Sequence, residues 1–322
     1  MRNVLYNKEK VNTACPEVAI IIVSWNQKKF TIECLKSLRY LEYPNYEVIL
    51  VDNGSIDGTC EAVQKSFPEV NVISLKRNAG YGTACNLGMK KALEKQDVKY
   101  VYISNNDVSF HECFLNELVK VCETDSEIGI VGPIVYFYDK PSVIQGFGGH
   151  LNLRTGQVTH FRSYQIDTNS PGEIKETDFI IGGFLLIKKE VINRVGFFDP
   201  YYFMYGEETD YEYRAKKAGY KLVVVSTAKI WHKVYGSYGG KLSPGAVFYM
   251  ARNQIYFMRK HMSSSVLLYF FSYQLMYRIP LTILAYMKNR RFCLLQAYLK
   301  GIVTGITNRV RYDSNLHKLS TD

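Results

Sequence analysis

Polar and aromatic side chains directly follow three apolar runs in the first third of the chain. In order along the chain, they are Trp25, Asn26, Asp52, Asn53, Asn105, Asn106 and Asp107. A carboxylate such as Asp52 can accept hydrogen bonds from ribose hydroxyls or base N–H groups. A carboxylate at the end of a loop, such as Asp107, can hold a divalent cation that neutralises phosphates. These residue types therefore fit a site for a nucleoside diphosphate.

Two other interpretations of these motifs stay open at this point. The run Asp52-Asn53-Gly54-Ser55 also suits a simple turn, and Asp57 suits the cap of the helix that follows it. By contrast, no Gly-x-Gly-x-x-Gly opens a helix after the first apolar run, and no Gly-x-x-x-x-Gly-Lys-Ser/Thr occurs in the sequence. The chain thus lacks the main signatures of dinucleotide-binding and P-loop proteins.

The elements that position these residues alternate between strands and helices. Continuous β-branched runs predict strands at 18–24, 48–51, 70–75 and 100–104. Helices are predicted between them at 29–41, from the Asp57 cap to residue 67, and at 83–93. This regular alternation of strands and helices indicates a mostly parallel sheet with helices on its faces. Ligands of such sheets bind beyond the carboxyl ends of the strands, where the three polar motifs stand.

The pattern changes after Gly132. A hairpin is predicted within 146–162, helices at 189–195, 208–218 and 245–261, and a strand at 222–225. Three acidic residues, Glu207, Glu208 and Asp210, open the second of these helices. Carboxylates are favourable at a helix N-terminus, so capping explains at least one of them.

An ordered series of motifs extends to about residue 261. The series comprises 21–26, 51–59, 77–82, 104–107, 182–184, 196–199, 202–210 and 231–232, with Asn86, Gly88, Arg214 and Gly219. In this series the sequence resembles the family 2 glycosyltransferases, inverting enzymes with the nucleotide-sugar-binding fold called GT-A. It is most similar to bacterial rhamnosyltransferase-like members that build cell-surface polysaccharide.

The resemblance implies a GT-A type fold, a mixed, mostly parallel sheet flanked by helices. Residues 18–131 would form the nucleotide-binding half and residues 132–261 the acceptor half. A tail of residues 1–17 would precede them, and a basic, apolar helical region of residues 262–322 would follow.

The resemblance also implies roles for individual residues. Asp52 and Asp57 would hold the base and ribose, and the full donor-binding set would be Ser24, Trp25, Asn26, Asp52, Asn53, Asp57, Asn78, Gly80, Asn86, Asn105 and Asn106. Asp107 and His232 would hold Mg²⁺ or Mn²⁺ at the diphosphate. The sequence departs from the family's Asp-x-Asp motif because Asn105 replaces the first acid, which lowers the negative charge of the metal site. A surface histidine beside Trp231 is the alternative for His232.

Inverting transfer needs a carboxylate that deprotonates the acceptor hydroxyl as it attacks the sugar in a single displacement. By position in the motif, Glu208 is expected to be this base, with Glu207 next and Asp210 orienting the site or the acceptor. The acceptor would be held by Gly182, Gly183, Tyr249, Arg252 and Asn253, with Arg252 pairing with a lipid diphosphate. An Arg252 stem packed on the core is an equally open alternative.

The net charge of +10 arises from one segment. Residues 252–312 contain ten Lys or Arg and no Asp or Glu, and the segment is rich in Leu, Tyr, Phe and Ile. This pairing suits an anionic membrane surface better than nucleic acid, which is not expected as a partner. The apolar stretch 266–287 approaches the length of a bilayer span, but Gln274, Arg278 and Pro280 interrupt it. Interfacial helices are therefore expected, with core packing or a homodimer as alternatives.

Seven irregularly spaced cysteines suit reduced thiols, and the first 16 residues lack an apolar signal core. We therefore expect a cytoplasmic protein that associates peripherally with the inner face of the plasma membrane. The expected activity is transfer of a sugar, with rhamnose favoured, from a dTDP- or UDP-linked donor to a lipid-linked glycan or polysaccharide. Two alternatives are a metal-dependent sugar nucleotidyltransferase, whose Gly-rich basic loop the sequence lacks, and a non-catalytic nucleotide- or membrane-binding protein.

Overall fold

The computed structural model describes residues 15–168, 172–233 and 243–309. Its strands are β1 (Glu17–Ser24), β2 (Tyr46–Asp52), β3 (Asn71–Ser74), β4 (Val98–Asn105), β5 (Val108–Phe110), β6 (Ile128–Phe137), β7 (Lys140–Gly146), β8 (Gly149–Asn152), β9 (Gln157–His160), β10 (Ile174–Glu176), β11 (Phe184–Lys188) and β12 (Lys221–His232). Its α-helices are α1 (Lys28–Leu38), α2 (Thr59–Ser66), α3 (Tyr81–Leu93), α4 (Phe114–Thr124), α5 (Lys189–Val195), α6 (Glu207–Lys217), α7 (Pro244–His261), α8 (Ser264–Tyr273), α9 (Ile279–Lys288) and α10 (Phe292–Thr307). A 3₁₀ turn forms at Pro200–Tyr202 and a π-helical turn at Gln274–Arg278.

Ten of the strands form one mixed sheet. Its order is β10-β12-β6-β11-β4-β1-β2-β3, with β5 also paired to β12 and β7 to β6, while β8 and β9 form a separate hairpin. Six strands, β1, β2, β3, β4, β6 and β12, run in one direction, and β5, β7, β10 and β11 run in the other. The predicted mixed, mostly parallel sheet flanked by helices is confirmed.

The continuous apolar run of β1 explains its central place. Alternate residues of a strand point to opposite faces, so a strand that is buried on both faces needs apolar residues throughout. Val18, Ile20 and Ile22 pack with residues of α1, α2 and α4 on one face of the sheet. Ala19 and Ile21 pack with residues of α3, α5 and α6 on the other face. The sheet therefore has a hydrophobic core on each side.

Several strands differ from the sequence prediction. β5, β6, β7 and β10 are not predicted. β11 is also not predicted, because its four apolar residues and Lys188 lead directly into α5 and give no sign of direction. It runs antiparallel to both of its neighbours, β4 and β6. β12 is longer than the predicted 222–225, because its pairing with β6 resumes at Lys229 after a register shift that follows Val225. This continuation carries β12 to His232.

The C-terminal region is helical as far as it is described. The helix α8, the π-helical turn and α9 follow one another without a break, and α10 packs along α7. Two glycines of α10 permit this close packing: a side chain at Gly301 would come within 2.6 Å of the Phe248 carbonyl oxygen, and one at Gly305 within 2.9 Å of the Arg252 carbonyl oxygen. None of the helices in the described ranges is both long and apolar enough to cross a membrane.

Candidate functional site

The three polar motifs meet at one edge of the sheet. Ser24 pairs with Asp52 across β1 and β2, and Val23 pairs with Asn105 across β1 and β4. Because these strands are parallel, their carboxyl ends lie side by side, as the sequence predicts. The loops that leave this edge carry the remaining residues of the motifs.

Hydrogen bonds join the first two loops. Asn26, in the left-handed region at φ 52°, accepts a hydrogen bond from the Ile56 amide at 2.8 Å. Asp57 accepts hydrogen bonds from the amides of Lys28 and Thr59, at the starts of α1 and α2. Partial burial opposes ionisation of Asp57, but hydrogen bonds from Thr59 and Lys28 outweigh it and hold the pKa below its ordinary value. Asp57 thus ties the first residues of α1 and α2 together, although Gly58 rather than Asp57 is the N-cap residue of α2.

The loop that precedes α3 is fixed by amides. Asn53 accepts a hydrogen bond from the Ala79 amide at 2.9 Å and donates one to Asn78 Oδ1 at 3.1 Å, while Asn78 Oδ1 accepts from the Gly80 amide. Gly54 lies at φ 79°, where a side chain would come within 2.5 Å of the Arg77 backbone. Asp52 is buried, and its Oδ1 accepts the Ser55 amide at 3.2 Å. The side chain of Trp25 is half-buried at the same edge.

Three residues predicted to bind the donor lie in buried networks instead. Asn106 donates hydrogen bonds to the hydroxyls of Ser24 and Thr31, which joins β1, α1 and the loop after β4. Asn86 exchanges two hydrogen bonds with the Phe198 backbone, each of 2.9 Å. Ser24, Asn86 and Asn106 are all buried. Their observed contacts position the site, because their polar groups are already bonded to protein atoms.

Asp107 and His232 come together across β5 and β12. His232 Nε2 lies 3.2 Å from Asp107 Oδ1, and His232 Nδ1 lies 2.9 Å from Gln145 Oε1. An amide oxygen only accepts, so Nδ1 donates to Gln145, and Nε2 is the ring nitrogen that faces Asp107. Asp107 Oδ1 is buried and has no hydrogen-bond donor among the residues that the structure describes. Two facing electron-pair donors of this kind fit a shared divalent cation.

Residues that the sequence analysis missed support this pair. The Lys233 amide donates to the Asp107 carbonyl at 2.8 Å, and the Lys233 ammonium pairs with Glu33. The ring edge of Phe184 contacts His232, with ring centroids 5.2 Å apart. Lys233 directly follows His232, but Gln145 and Glu33 are distant in sequence and give no local signal.

Glu207 and Glu208 begin α6 in different environments. Glu207 is buried, and burial followed by the charge of Glu208 raises its pKa well above the ordinary value. Glu208 is half-buried, and burial raises its pKa to about 7. A side chain at Gly182 would come within 2.8 Å of Glu208 Oε1, and one at Gly183 within 2.7 Å of Asn105 Oδ1.

The three residues from Gly182 to Phe184 therefore link the two acidic centres. Gly182 contacts Glu208, Gly183 contacts Asn105, and Phe184 contacts His232. The absence of side chains at the first two positions lets Glu208 approach the carboxyl edge of the sheet. The segment forms one wall shared by Glu208 and the Asp107–His232 pair.

Asp210 does not belong to this wall. Its carboxylate lies 2.8 Å from Arg214 Nε, 2.8 Å from Lys260 Nζ and 2.7 Å from His261 Nε2, and the residue is fully buried. Burial opposes ionisation, but Arg214, His261 and Lys260 outweigh it and lower the pKa of Asp210. The ion-pair network ties α6 to α7, which suits the expected role of Asp210 in orienting the site more than contact with the acceptor.

The residues proposed for a lipid diphosphate are also placed differently. Arg252 and Asn253 are buried, and their nitrogens donate to main-chain carbonyls of the segment before α6. Tyr249 stacks on Phe203, with ring centroids 5.1 Å apart. A guanidinium that is buried against carbonyls and aromatic rings is not presented to an acceptor.

The chain is similar to proteins of known family. The family model described as Glycosyl transferase family 2 matches residues 19–196. An N-acetylglucosaminyl-diphospho-decaprenol L-rhamnosyltransferase of Mycobacterium tuberculosis is 29% identical over 234 residues, which cover 66% of this chain and 75% of that protein.

Two solved structures share the fold at 16% identity. The mannosyltransferase PcManGT from Pyrobaculum calidifontis, in complex with GDP-Man and Mn²⁺, superposes with a TM-score of 0.59 and covers 91% of this chain and 88% of its own. GalNAc-T7 with UDP, GalNAc and Mn²⁺ superposes with a TM-score of 0.60 over 76% of this chain. The match spans 48% of the GalNAc-T7 chain, about half its length.

Proposed function

Because the chain belongs to glycosyl transferase family 2 and is a glycosyltransferase, we propose that it transfers a sugar from a nucleoside diphosphate donor with inversion at the anomeric carbon. The observation that carries this proposal is the wall from Gly182 to Phe184. One end of the wall contacts the carboxylate Glu208, and the other contacts His232 beside Asp107. A base and an electron-rich cation site on one wall suit a displacement in which the acceptor is deprotonated at one end and a diphosphate leaves at the other.

The donor would bind at the carboxyl edge of β1, β2 and β4. Asp52 uses one carboxylate oxygen for the Ser55 amide and retains capacity to accept from ribose or base donors. Trp25 and Asn105 flank this edge, while Asn26, Asn53, Asp57, Asn78 and Gly80 hold its loops. When bound, a divalent cation held by Asp107 and His232 would neutralise charge on the diphosphate. An imidazole ligand favours Mn²⁺ over Mg²⁺, which prefers oxygen ligands.

Glu208 is the base that we assign. Its pKa of about 7 leaves it substantially ionised near neutral pH, yet basic enough to take the proton of an acceptor hydroxyl. Glu207 is a poorer base because burial and the charge of Glu208 raise its pKa well above the ordinary value, which disfavours the ionised form. Gly182 and Gly183 would lie beneath the acceptor, since both contact residues of the site and neither carries a side chain.

Rhamnose is the sugar that we propose, and a lipid-linked glycan is the proposed acceptor. Both rest on the likeness to the L-rhamnosyltransferase, whose name specifies an N-acetylglucosaminyl-diphospho-decaprenol acceptor. The donor would then be dTDP-linked, with a UDP-linked sugar as the alternative.

An apolar face on the C-terminal helices suits an anionic membrane. Of twenty large apolar side chains that are exposed in the described residues, twelve lie between 268 and 306. They are Leu268, Tyr269, Leu275, Met276, Tyr277, Leu281, Leu284, Met287, Phe292, Leu299, Val303 and Ile306. The same helices carry Arg278, Lys288, Arg290, Arg291 and Lys300 without an acidic residue. Apolar area with positive charge matches a bilayer surface rich in anionic lipid.

The donor site is tested by melting the protein with dTDP, UDP, GDP and their sugars, each with and without Mn²⁺. A ligand that binds only the folded state raises the melting temperature, and the increase with Mn²⁺ should be confined to one nucleotide. Product stereochemistry, read by NMR, then tests inversion. If no nucleotide sugar stabilises the folded protein, the proposed function fails.

The membrane face is tested by sedimentation with phosphatidylglycerol and phosphatidylcholine vesicles. Binding should require the anionic lipid and weaken with salt, and L281D with L284D should abolish it. Y40D, at an exposed tyrosine beyond α1, is the matched control and should bind normally. If light scattering shows a dimer and L281D dissociates it, the apolar face binds a second copy of the chain instead.

A further inference from the structure

The segment that precedes the assigned base is held in an unusual backbone conformation, and we propose that Asn253, oriented by Arg252, is the positioning residue that holds it. The segment is residues 201–206, here called the base loop. It ends one residue before Glu207, so its conformation sets where the first turn of α6, and with it Glu208, lies. The proposal rests on the proposed function, because Asn253 would act on transfer only through Glu208.

The base loop stores backbone strain at two positions. Phe203 has φ 62° and ψ −54°, and the Met204 amide donates to the Tyr202 carbonyl at 2.6 Å across it. This is a γ-turn with positive φ, a rare and strained conformation. Tyr205 also lies at positive φ, 65°. Such residues persist only where the surrounding contacts over-determine them.

Asn253 and Arg252 supply those contacts. Asn253 Nδ2 lies 3.0 Å from the Tyr202 carbonyl oxygen, 2.8 Å from that of Met204 and 2.6 Å from that of Tyr205. Arg252 Nη2 lies 2.7 Å from the carbonyl oxygens of residues 201 and 202. Arg252 Nε also donates to Asn253 Oδ1 at 2.7 Å, which fixes the orientation of the amide.

The other side of the base loop contacts the donor half. The Phe203 carbonyl accepts the Tyr81 amide at 2.6 Å, at the start of α3. Gly80 permits this approach, since a side chain there would come within 2.7 Å of the same carbonyl oxygen. The carbonyl oxygens of residues 201, 202, 204 and 205 thus accept hydrogen bonds from α7, and that of Phe203 accepts one from α3. The loop therefore sets the position of Glu208 relative to the donor half.

Loss of the Asn253 side chain should lower the turnover rate rather than the affinity for the donor. Asn253 makes no contact with Asp52, Asp107 or His232 among its described hydrogen bonds, so losing it leaves the nucleotide and cation groups in place. Relaxation of the γ-turn would shift Glu208, and a misplacement of about 1 Å costs about a hundredfold in rate.

The experiment compares N253A with Q254A. Gln254 is a matched control, because on the same helix it also donates to two carbonyls, those of Thr155 and Gly156, in the β8–β9 hairpin away from the site. We expect N253A to lower kcat for nucleoside diphosphate release from dTDP-rhamnose by about a hundredfold. The Kd of dTDP with Mn²⁺ should change by less than about threefold, and Q254A should keep both values within about threefold.

A rescue variant separates positioning from stability. Glycine adopts positive φ without strain, so F203G in the N253A background should restore part of the lost kcat although it removes a further side chain. Equal kcat losses in N253A and Q254A, or a loss of dTDP binding that matches the loss of kcat, would overturn the proposal.

Hydrogen exchange provides a readout that needs no activity. The amides of Met204 and Tyr81 should exchange faster in N253A than in the parent, and at the parent rate in Q254A. If the parent protein turns over no donor, the proposed function fails, while hydrogen exchange still tests whether Asn253 holds the base loop. Unchanged exchange in N253A would refute this role of Asn253 even in an active enzyme.

Discussion

Glu208 can be tested by a substitution and a pH profile together. Replacing it with glutamine keeps the size of the side chain and removes its ability to accept a proton. With a pKa of about 7, Glu208 is about one-tenth ionised at pH 6 and about nine-tenths ionised at pH 8. Because the base must be ionised to act, kcat should rise about tenfold between these values and level off above pH 8.

In E208Q, kcat at pH 8 should fall by about a hundredfold or more, and the residual activity should lose the pH dependence. The assay is release of nucleoside diphosphate at saturating donor and Mn²⁺, with dTDP affinity measured separately. Affinity should be unchanged, because the change affects only the deprotonation of the acceptor.

The matched control is E207Q, one residue earlier on the same helix. Burial and the charge of Glu208 raise the pKa of Glu207 well above its ordinary value, which disfavours the ionised form that a base needs, so this variant should keep both turnover and the pH profile. A flat profile between pH 6 and 8 in the parent, or more than a tenth of parental turnover in E208Q, would falsify the assignment. The reverse pattern, with E207Q inactive, would make Glu207 the base.

Three further predictions concern the acidic residues around the site. D107N should abolish the Mn²⁺-dependent part of nucleotide binding by calorimetry while metal-free binding persists, because it removes the carboxylate that faces His232. E207Q should raise the melting temperature at pH 8 but not at pH 4.5: folding raises the pKa of Glu207, so the parent loses stability as the pH rises above the ordinary pKa of the unfolded chain, and the variant, which lacks this carboxyl, does not. D210A should lower the free energy of unfolding in urea by about 3–5 kcal/mol, because it removes the buried carboxylate that Arg214, Lys260 and His261 share and leaves Lys260 with Asp199 alone; a loss below about 1 kcal/mol would contradict the network.

The edge of the sheet that holds the donor motifs was predictable from the sequence. The apolar run of β1 and the polar residues that follow each strand are local signals, and parallel pairing brings them together whatever the details of the helices. The proximity of Asp107 and His232 was implied only by the family resemblance, because no local pattern links them across β5 and β12.

The contacts of individual polar residues were less predictable. Asn106 and Asn86 stand in motifs beside the site, but distant hydroxyl and backbone groups satisfy them in the core. Arg252 and Asn253 suited an anionic acceptor by residue type, yet they hold a strained loop that leaves no trace in composition or periodicity. Burial and partner choice depend on the packing of elements far apart in the chain, which single motifs do not encode.

The pairing of Val108 with His232 across β5 and β12 has a consequence for the protein during its synthesis. The first seven elements, from β1 to β4, contact near neighbours, and the strand ends of β1, β2 and β4 meet once about the first third of the chain has been made. The imidazole that faces Asp107 is translated 125 residues later, which takes roughly 6–25 s at 5–20 residues per second. A nascent chain would therefore form its nucleoside-binding edge well before its cation pair, and the acquisition of metal-dependent nucleotide binding would report completion of the sheet at β12.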